Sequence, residues 1–320
     1  MAKFESGLFT SDDFLQISQV LYTPKQDEML ARRIFSIDST YASYAREIGY
    51  DYYDRTGSAK IYAKGGGGKD IPFVGESGGR ITQKVYDLVT GIRYSKAELQ
   101  ALEAKRALGK GPSIQLNMLR VDTARRYISE VENKLAFSGD TEYGIKGIFD
   151  DTFYNGTNLG VKENVAASGT GSGDAAKRLW PNKTSSLILD DLFKAVDTVE
   201  QDALFKARIL VLDPKNFNRL RKPFTTTDSR TLLDWLNSNG LYFEQIIASR
   251  NMRLTNNGDT VNYFMVLDNS PEIVQLAITE DLNLGDPIVD IVGTTEIAVM
   301  ESTGGIVLRH PAACYIGKGI

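Results

Sequence analysis

The run most suggestive of chemistry is Gly75-Glu76-Ser77-Gly78-Gly79. It fits the G-x-S-x-G pattern of a nucleophile elbow, with Asp286 or Asp290 and then His310 following in hydrolase order. An elbow needs a buried strand before the serine and a helix after it, so that a strained turn lifts the hydroxyl to a helix N-terminus. Here Pro72 and several glycines precede Ser77, the alternating RITQKVYD follows, and no HGGG-like oxyanion loop is present. A serine hydrolase using Ser77 is therefore the lesser reading, and a hairpin tip the better one. Gly65 to Gly68 with Lys69 resembles a phosphate cradle, but G-x-x-x-x-G-K-[ST] would need glycine at Ala63 and Ser or Thr at Asp70. The acidic pairs Asp12-Asp13, Asp150-Asp151, Asp190-Asp191 and Glu280-Asp281 lack the alternating ligand order of a calcium loop and read as caps and solvated faces. One histidine and one cysteine, Cys314, exclude a zinc cluster and an intramolecular disulfide. The expectation is a non-enzyme with no catalytic residue, cofactor or metal.

The elements around these residues are more telling. The 320 residues carry 37 Lys plus Arg against 41 Asp plus Glu, a net charge of -4, which disfavours a dedicated phosphate-backbone binder. No apolar run is long enough to span a bilayer and the start lacks a signal-peptide core, so the expectation is a soluble chain made in the cytosol. Residues 1–54 hold no sustained period apart from a short helical stretch near 12–20, and read as an arm lying on something or as an edge strand plus loop. Residues 55–94 read as a long hairpin without a strongly apolar face. Two arms of ~15 residues would reach ~50 Å, against a radius of gyration of ~20 Å for a compact chain of this size. Such a ribbon is marginal alone and wants a neighbour to lie on.

Ser95 and Glu98 form a capping box for a helix stopping at Gly109. A second helix over 113–137 repeats Ile114, Met118, Val121, Ile128, Val131 and Leu135 at three- and four-residue steps, with Glu130 and Lys134 as an i,i+4 pair. The tract NVAASGTGSGDAAKR reads as a flexible surface connection. A small α/β unit follows over 184–281: a helix at 184–201, the strand ARILVLDP, the helix TLLDWLNSN and the strands YFEQIIAS, VNYFMVLDN and EIVQLAI. The tail reads as a hairpin, EIAVMES and IVLRHP turning at Gly304-Gly305, with a last extended piece completing the sheet beneath the long helix.

The stretch RRYISEVENKLAFSGDTEYGIKGIFD holds Glu132-Asn133, Gly139-Asp140 and Gly144-Ile145-Lys146-Gly147-Ile148, and the chain closes with TGGIVLRHPAACYIGKGI, including Gly304-Gly305, Arg309 and Pro311. In these motifs, and in the order of arm, extended loop and long helix, the sequence resembles the major capsid proteins of tailed bacteriophages, which share the Hong Kong 97 fold with encapsulin shell proteins. The resemblance implies an α+β fold with an N-terminal arm (1–54), an extended loop (55–94), a peripheral domain with a spine helix (95–183 and 282–320) and an axial domain (184–281). It implies a structural subunit that self-assembles, as pentamers and hexamers of many copies, into an icosahedral phage head enclosing double-stranded DNA without sequence-specific binding. Portal and scaffold proteins are the further partners expected, no membrane is, and assembly is placed in the host bacterial cytoplasm. An encapsulin-like compartment for protein cargo is the alternative.

On the loop, the candidate inter-subunit contacts are Lys64, Lys69, Phe73, Arg80 and Tyr86, and the candidate hinges are Gly65, Gly68, Gly75 and Gly78. Some members of the family cross-link a loop lysine to a peripheral-domain asparagine; residues 290–320 contain no Asn, so no cross-link is expected. The chain begins almost at the arm, which implies a scaffold that is separate rather than fused.

Overall fold

A computed structural model describes residues 28–61, 71–107, 116–153, 161–201, 204–223, 229–238, 243–256 and 259–320. The first element is a single helical turn, α1 (Ala31–Ile34), which leads into β1 (Ser36–Asp38). Strands β2 (Glu47–Thr56) and β3 (Gly75–Lys84) pair antiparallel from Glu47↔Lys84 to Thr56↔Gly75. Next come β4 (Tyr86–Tyr94), α2 (Lys96–Ala107) and the spine helix α3 (Leu116–Ser138). β5 (Val161–Asn164), α4 (Asp174–Arg178), α5 (Ser185–Glu200), β6 (Ile209–Leu212), α6 (Pro214–Leu220) and α7 (Leu232–Ser238) follow. The chain finishes with β7 (Gln245–Ala248), β8 (Arg253–Asn256), β9 (Asp259–Leu267), β10 (Val274–Leu284), β11 (Ile288–Val289), β12 (Thr295–Leu308) and β13 (Cys314–Lys318).

Two larger sheets organise these strands. In the first, β12 is the axis: β4 runs antiparallel along one edge, β10 and β11 share the other, and β1 adds parallel to β10. In the second the order is β5-β13-β9-β6-β7, with β8 also on β9. The second sheet is buried on both faces, which is why ILVL in β6 is apolar without alternation. Ile209, Val211, Met265 and Leu267 face a core shared with β10, β12 and the C-terminal end of α3. Leu210, Leu212, Phe264 and Val266 face α5, which presents Ile188, Leu192, Ala195, Val196 and Val199. Each of these side chains other than Ala195 contributes about 1.5–3 kcal/mol on burial. A separate cluster, Ala124 and Ile128 on α3 with Ile92, Tyr94 and Val299, lays the spine across β4 and β12.

Several sequence expectations hold. The capping box closes in both directions, with the Ser95 N–H donating to Glu98 Oε2 at 3.1 Å and the Glu98 N–H to Ser95 Oγ at 3.3 Å. The strand ARILVLDP forms as β6, and it runs into a short helix not expected from the sequence, whose N-cap, Asp213, accepts from the Lys215 N–H, with Pro214 in the first turn. Cys314 is a buried strand residue.

Others are corrected. The ribbon expected over 55–94 is built instead from 47–56 and 75–84. Residues 86–94 leave it and pair with β12, because the apolar residues of β4, Ile92 and Tyr94 among them, find a buried face only there. The arm segment 28–54 contributes an edge strand, β1, and most of β2; residues 1–27, including the expected short helix, and the helix stop at Gly109 lie outside the described residues. The tail makes no turn at Gly304-Gly305. β12 continues through them as one strand with a bulge, Gly305 taking φ +77° and the register shifting from Ala277↔Gly305 to Ile278↔Thr303. The final piece, β13, joins the second sheet between β5 and β9 rather than lying under the spine. The tract at 164–178 is tied down, the Gly169 N–H donating to the Lys177 carbonyl and Thr170 to that of Asn182. On α3, Glu130 pairs with Arg126 rather than Lys134, and Val131 is exposed although Ile128 and Leu135 are buried.

Candidate assembly surfaces

The β2–β3 hairpin is rooted in the body and bare beyond its root. At the root, Ile48 packs on Ala277 and Val307, the Tyr50 hydroxyl donates to the Leu308 carbonyl at 3.3 Å, and the Arg309 guanidinium lies over the Tyr50 ring. Glycine is required where β12 receives this root: a Cβ on Gly304 would stand 2.4 Å from Ile48 Cδ1. Outward of Tyr50 the strands bury almost nothing, Tyr52 and Tyr53 being exposed on β2 and β3 reading exposed at most of its positions. Towards the tip, Ile61, Ile71, Phe73 and Val74 are exposed, Phe73 at 88%.

The candidate contact residues fall into distinct settings. Phe73 presents its ring to solvent. Arg80 is engaged within the hairpin, donating to Asp51 at 2.6 and 2.9 Å, which holds the Asp51 carboxyl below its usual range. Tyr86 packs edge-on against Tyr143 and donates to the Tyr143 carbonyl at 2.7 Å. Gly75 and Gly78 are strand residues opposite Thr56 and Tyr53. Lys64, Lys69, Gly65 and Gly68 lie outside the described residues.

Two surfaces were not singled out by the sequence. The β11–β12 turn exposes Ile288, Val289, Ile291 and Val292 beside the exposed Arg93–Glu296 pair; the run IVDIV was itself a cue, since its alternation offers no polar face. The second is a groove of about 390 Å³ between β4 and α3, lined by Leu88, Val89, Tyr127, Val131 and Tyr143.

The seat of α1 was likewise hidden, since its parts are about a hundred residues apart. Asn133 Oδ1 accepts the N–H groups of Leu30 and Ala31 at 3.2 and 3.1 Å, capping the single turn. Beside it, Arg32 donates to Glu132 at 2.7 Å, to Glu301 at 3.0 Å and to Asp281 at 3.1 Å. Glu132 and Glu301 are buried and Asp281 is exposed. Burial, then the adjacent Glu132, pushes the Glu301 carboxyl up to about 8 against the pull of Arg32. The Leu282 N–H and Arg32 lower Asp281.

The elbow chemistry is not assembled. Ser77 sits in mid-strand opposite Asp54, with β3 running on to Lys84 where an elbow needs a helix. Asp290 accepts the Ile291 N–H in its own turn, and the His310 ring packs on Phe205. Of the acidic pairs, Asp191 departs from the expected solvated face: it is buried against Lys183 and Trp180. Among the described residues no group of three His, Cys, Asp or Glu could hold a metal, and no helix is long and apolar enough to cross a membrane.

Comparison with known proteins agrees with this geometry. Residues 57–320 match the family model described as major capsid protein. Among solved structures, the capsid of Myoviridae phage XM1 superposes with a TM-score of 0.73 at 13% identity, over 99% of this chain and 100% of that one. A structure from Gordonia phage Cozz gives 0.61 at 13% identity over 98% and 91%. The virus-like particle from Pyrococcus furiosus gives 0.53 at 14% identity over 89% and 90%. No curated protein matches the sequence.

Proposed function

The chain belongs to the major capsid protein family, a structural subunit of a phage head shell with the Hong Kong 97-like fold, and from that premise we propose how it builds the shell. Many copies, as pentamers and hexamers, cover one another's exposed apolar surfaces: the hairpin tip around Phe73, the β11–β12 turn and the groove between β4 and α3. The observation that carries the proposal is the hairpin, whose described residues beyond Tyr50 are mostly exposed on both strands. A two-stranded ribbon is marginal alone, because few side chains offset its ordering entropy.

In this reading Lys64, Lys69, Phe73, Arg80 and Tyr86 lie at or near contacts between copies, with Gly65, Gly68, Gly75 and Gly78 as points of adjustment. The arm, the extended loop and the peripheral and axial domains divide the chain, with the loop taken as the β2–β3 hairpin of 47–84 and the later boundaries near 183 and 281. Because each copy is held at several places, weak contacts sum to a stable shell. The net charge of -4 suits a container for double-stranded DNA that does not grip its contents. Portal and scaffold proteins complete the head, assembled in the host cytoplasm. The family match is to capsid proteins, so the cargo-compartment alternative is not favoured.

Electron microscopy and sedimentation of the expressed chain test the proposal. Closed particles are expected, and Phe73→Asp should reduce their yield without unfolding the subunit. A lone monomer whose hairpin resists proteolysis would overturn it.

A further inference from the structure

The β11–β12 turn carries more apolar surface than a solvated turn requires. Ile288, Val289, Ile291 and Val292 are each between 64% and 101% exposed, four of five consecutive positions. Single exposed apolar side chains are ordinary, whereas a run of them on one turn marks a contact surface. The turn is also acidic, with Asp286 and Asp290 both exposed. It holds a defined shape: the Gly293 N–H donates to the Asp290 carbonyl at 2.7 Å, the Asp290 N–H to that of Thr294 at 2.8 Å, and Gly293 takes φ +82°. A knob of this character needs a socket that is apolar and positively charged.

The cavities bordered by the described residues differ in how well they meet that need. The β4–α3 groove has Asp87 and Asp140 in its lining and no basic residue, so it repels the knob's carboxylates. A cleft of about 750 Å³ between α3 and β8 holds basic residues, but Glu28 and Glu130 line it too, Arg126 is paired with Glu130 and Arg253 with Asp213. The socket of about 260 Å³ at the hairpin root is different. Tyr50, Tyr143 and Phe153 give it aromatic walls, and Lys84 and Lys146 give it charge. Among the described residues neither lysine has a carboxylate within ion-pair distance: Lys146 lies over the Phe153 ring, and Glu47, opposite Lys84 in the hairpin, makes no ion pair with it. Gln83 of the same lining has its Nε2 without an acceptor. The volume suits one or two side chains, since small-molecule pockets begin at about 300 Å³.

Knob and socket lie at opposite ends of one strand. Val289 pairs with Thr295 at the start of β12, whereas Val307 and Leu308 at its end line the socket. The strand between them holds the two about 40 Å apart, so no chain fills its own socket. We infer that the β11–β12 turn of one copy seats in the hairpin-root socket of the next, Asp286 and Asp290 pairing with Lys84 and Lys146 while the apolar side chains between them cover Tyr50 and Tyr143. This contact deepens the assembly reading and rests on it. Because the two surfaces differ, the contact is heterologous: each copy gives one knob and receives another, and repetition closes a ring when the rotation permits. A self-complementary patch makes only pairs.

Charge reversal in the full-length chain tests the pairing. Asp286→Lys with Asp290→Lys sets like charges against the socket lysines, and Lys84→Glu with Lys146→Glu does the same to the knob's aspartates. Each pair of changes should cut the yield of closed particles, counted by electron microscopy, about tenfold or more, with the thermal midpoint of the subunit unchanged. All four changes in one chain make the charges opposite again and should restore the yield. Normal particles from either pair, or no rescue by the four together, overturns the contact and leaves the assembly reading in place. Cross-linking keeps the test open should the reversed chains fold poorly. The single cysteine, Cys314, is buried, so Val289→Cys with Thr82→Cys offers one reactive thiol on each side. A short bismaleimide should join the subunits of such particles into a ladder that runs beyond dimers, and neither change alone should give one. Particles without a ladder overturn the contact, whereas failure of the natural chain to form particles overturns the assembly reading and the contact with it.

Discussion

Lys183 and Asp191 show how one side chain can commit a whole helix. Lys183 Nζ donates to Asp191 Oδ2 at 2.6 Å, Trp180 Nε1 donates to the same oxygen at 3.0 Å, and the two charged side chains are 0% and 4% exposed. Burial pushes the Asp191 carboxyl up, while Lys183 and Trp180 pull it down. Breaking a buried pair costs more than its net worth, because the remaining charge is stranded. Lys183→Met should therefore lose about 3–5 kcal/mol in urea unfolding at pH 7, and Lys183→Met with Asp191→Leu should recover most of it. In the single variant the Asp191 carboxyl is raised further above its unfolded value. Its stabilising contribution is then complete only below that unfolded value and lost as pH rises, so the deficit should shrink in acid. The pair was within reach of the sequence: the apolar period of α5 runs through Ile188, Leu192, Ala195 and Val199, and it turns position 191 inward and 190 outward. Reading Asp190-Asp191 as one solvated unit missed this. The Arg32 cluster offered no such cue, since a period marks an inward face but not which distant residue meets it.

At the level of elements, type was legible and partnership was not. Helix α5 follows from its apolar period, and strands β6, β9 and the first half of β10 from short apolar runs that are mostly buried. β3 and β4 are separated by Val85 alone, which favoured treating 55–94 as one ribbon. What decides the pairing is the face each strand must bury: GESGGRITQK has little to hide, whereas Ile92 and Tyr94 of β4 need the spine. The bulge at Gly304-Gly305 was taken for a turn because the glycine pair looks the same in either role. Its structural role is testable. Ile48 Cδ1 would stand 2.4 Å from a Cβ on Gly304, so Gly304→Ala should destabilise by about 1–3 kcal/mol through overpacking at the hairpin root. Ile48→Val removes that methyl and should restore much of the loss. A double-mutant cycle followed by thermal unfolding measures the coupling, and additive effects would place the strain elsewhere.

For the molecule as a whole, the core and the proposed assembly contacts use different residues, so folding and assembly should be separable by one deletion. The core lies in the two larger sheets with α3 and α5, and the hairpin is anchored to it at its root by Ile48 and Tyr50. Thr56 and Gly75 face each other in register, so residues 57–74 can be replaced by Asn-Gly, a two-residue turn that suits an antiparallel pair. Among the described residues of that segment, Ile61, Ile71, Phe73 and Val74 are all exposed. Their removal should leave subunit stability within about 0.5 kcal/mol, as for surface changes generally. If copies of the chain supply the missing partners, the shortened protein should sediment as a folded subunit with an unchanged unfolding midpoint and form no closed particles. Normal particles from this variant would mean that the ribbon is a passive extension and that assembly rests on the β11–β12 turn and the β4–α3 groove. A lowered midpoint in the isolated subunit would mean instead that the tip folds back onto its own body.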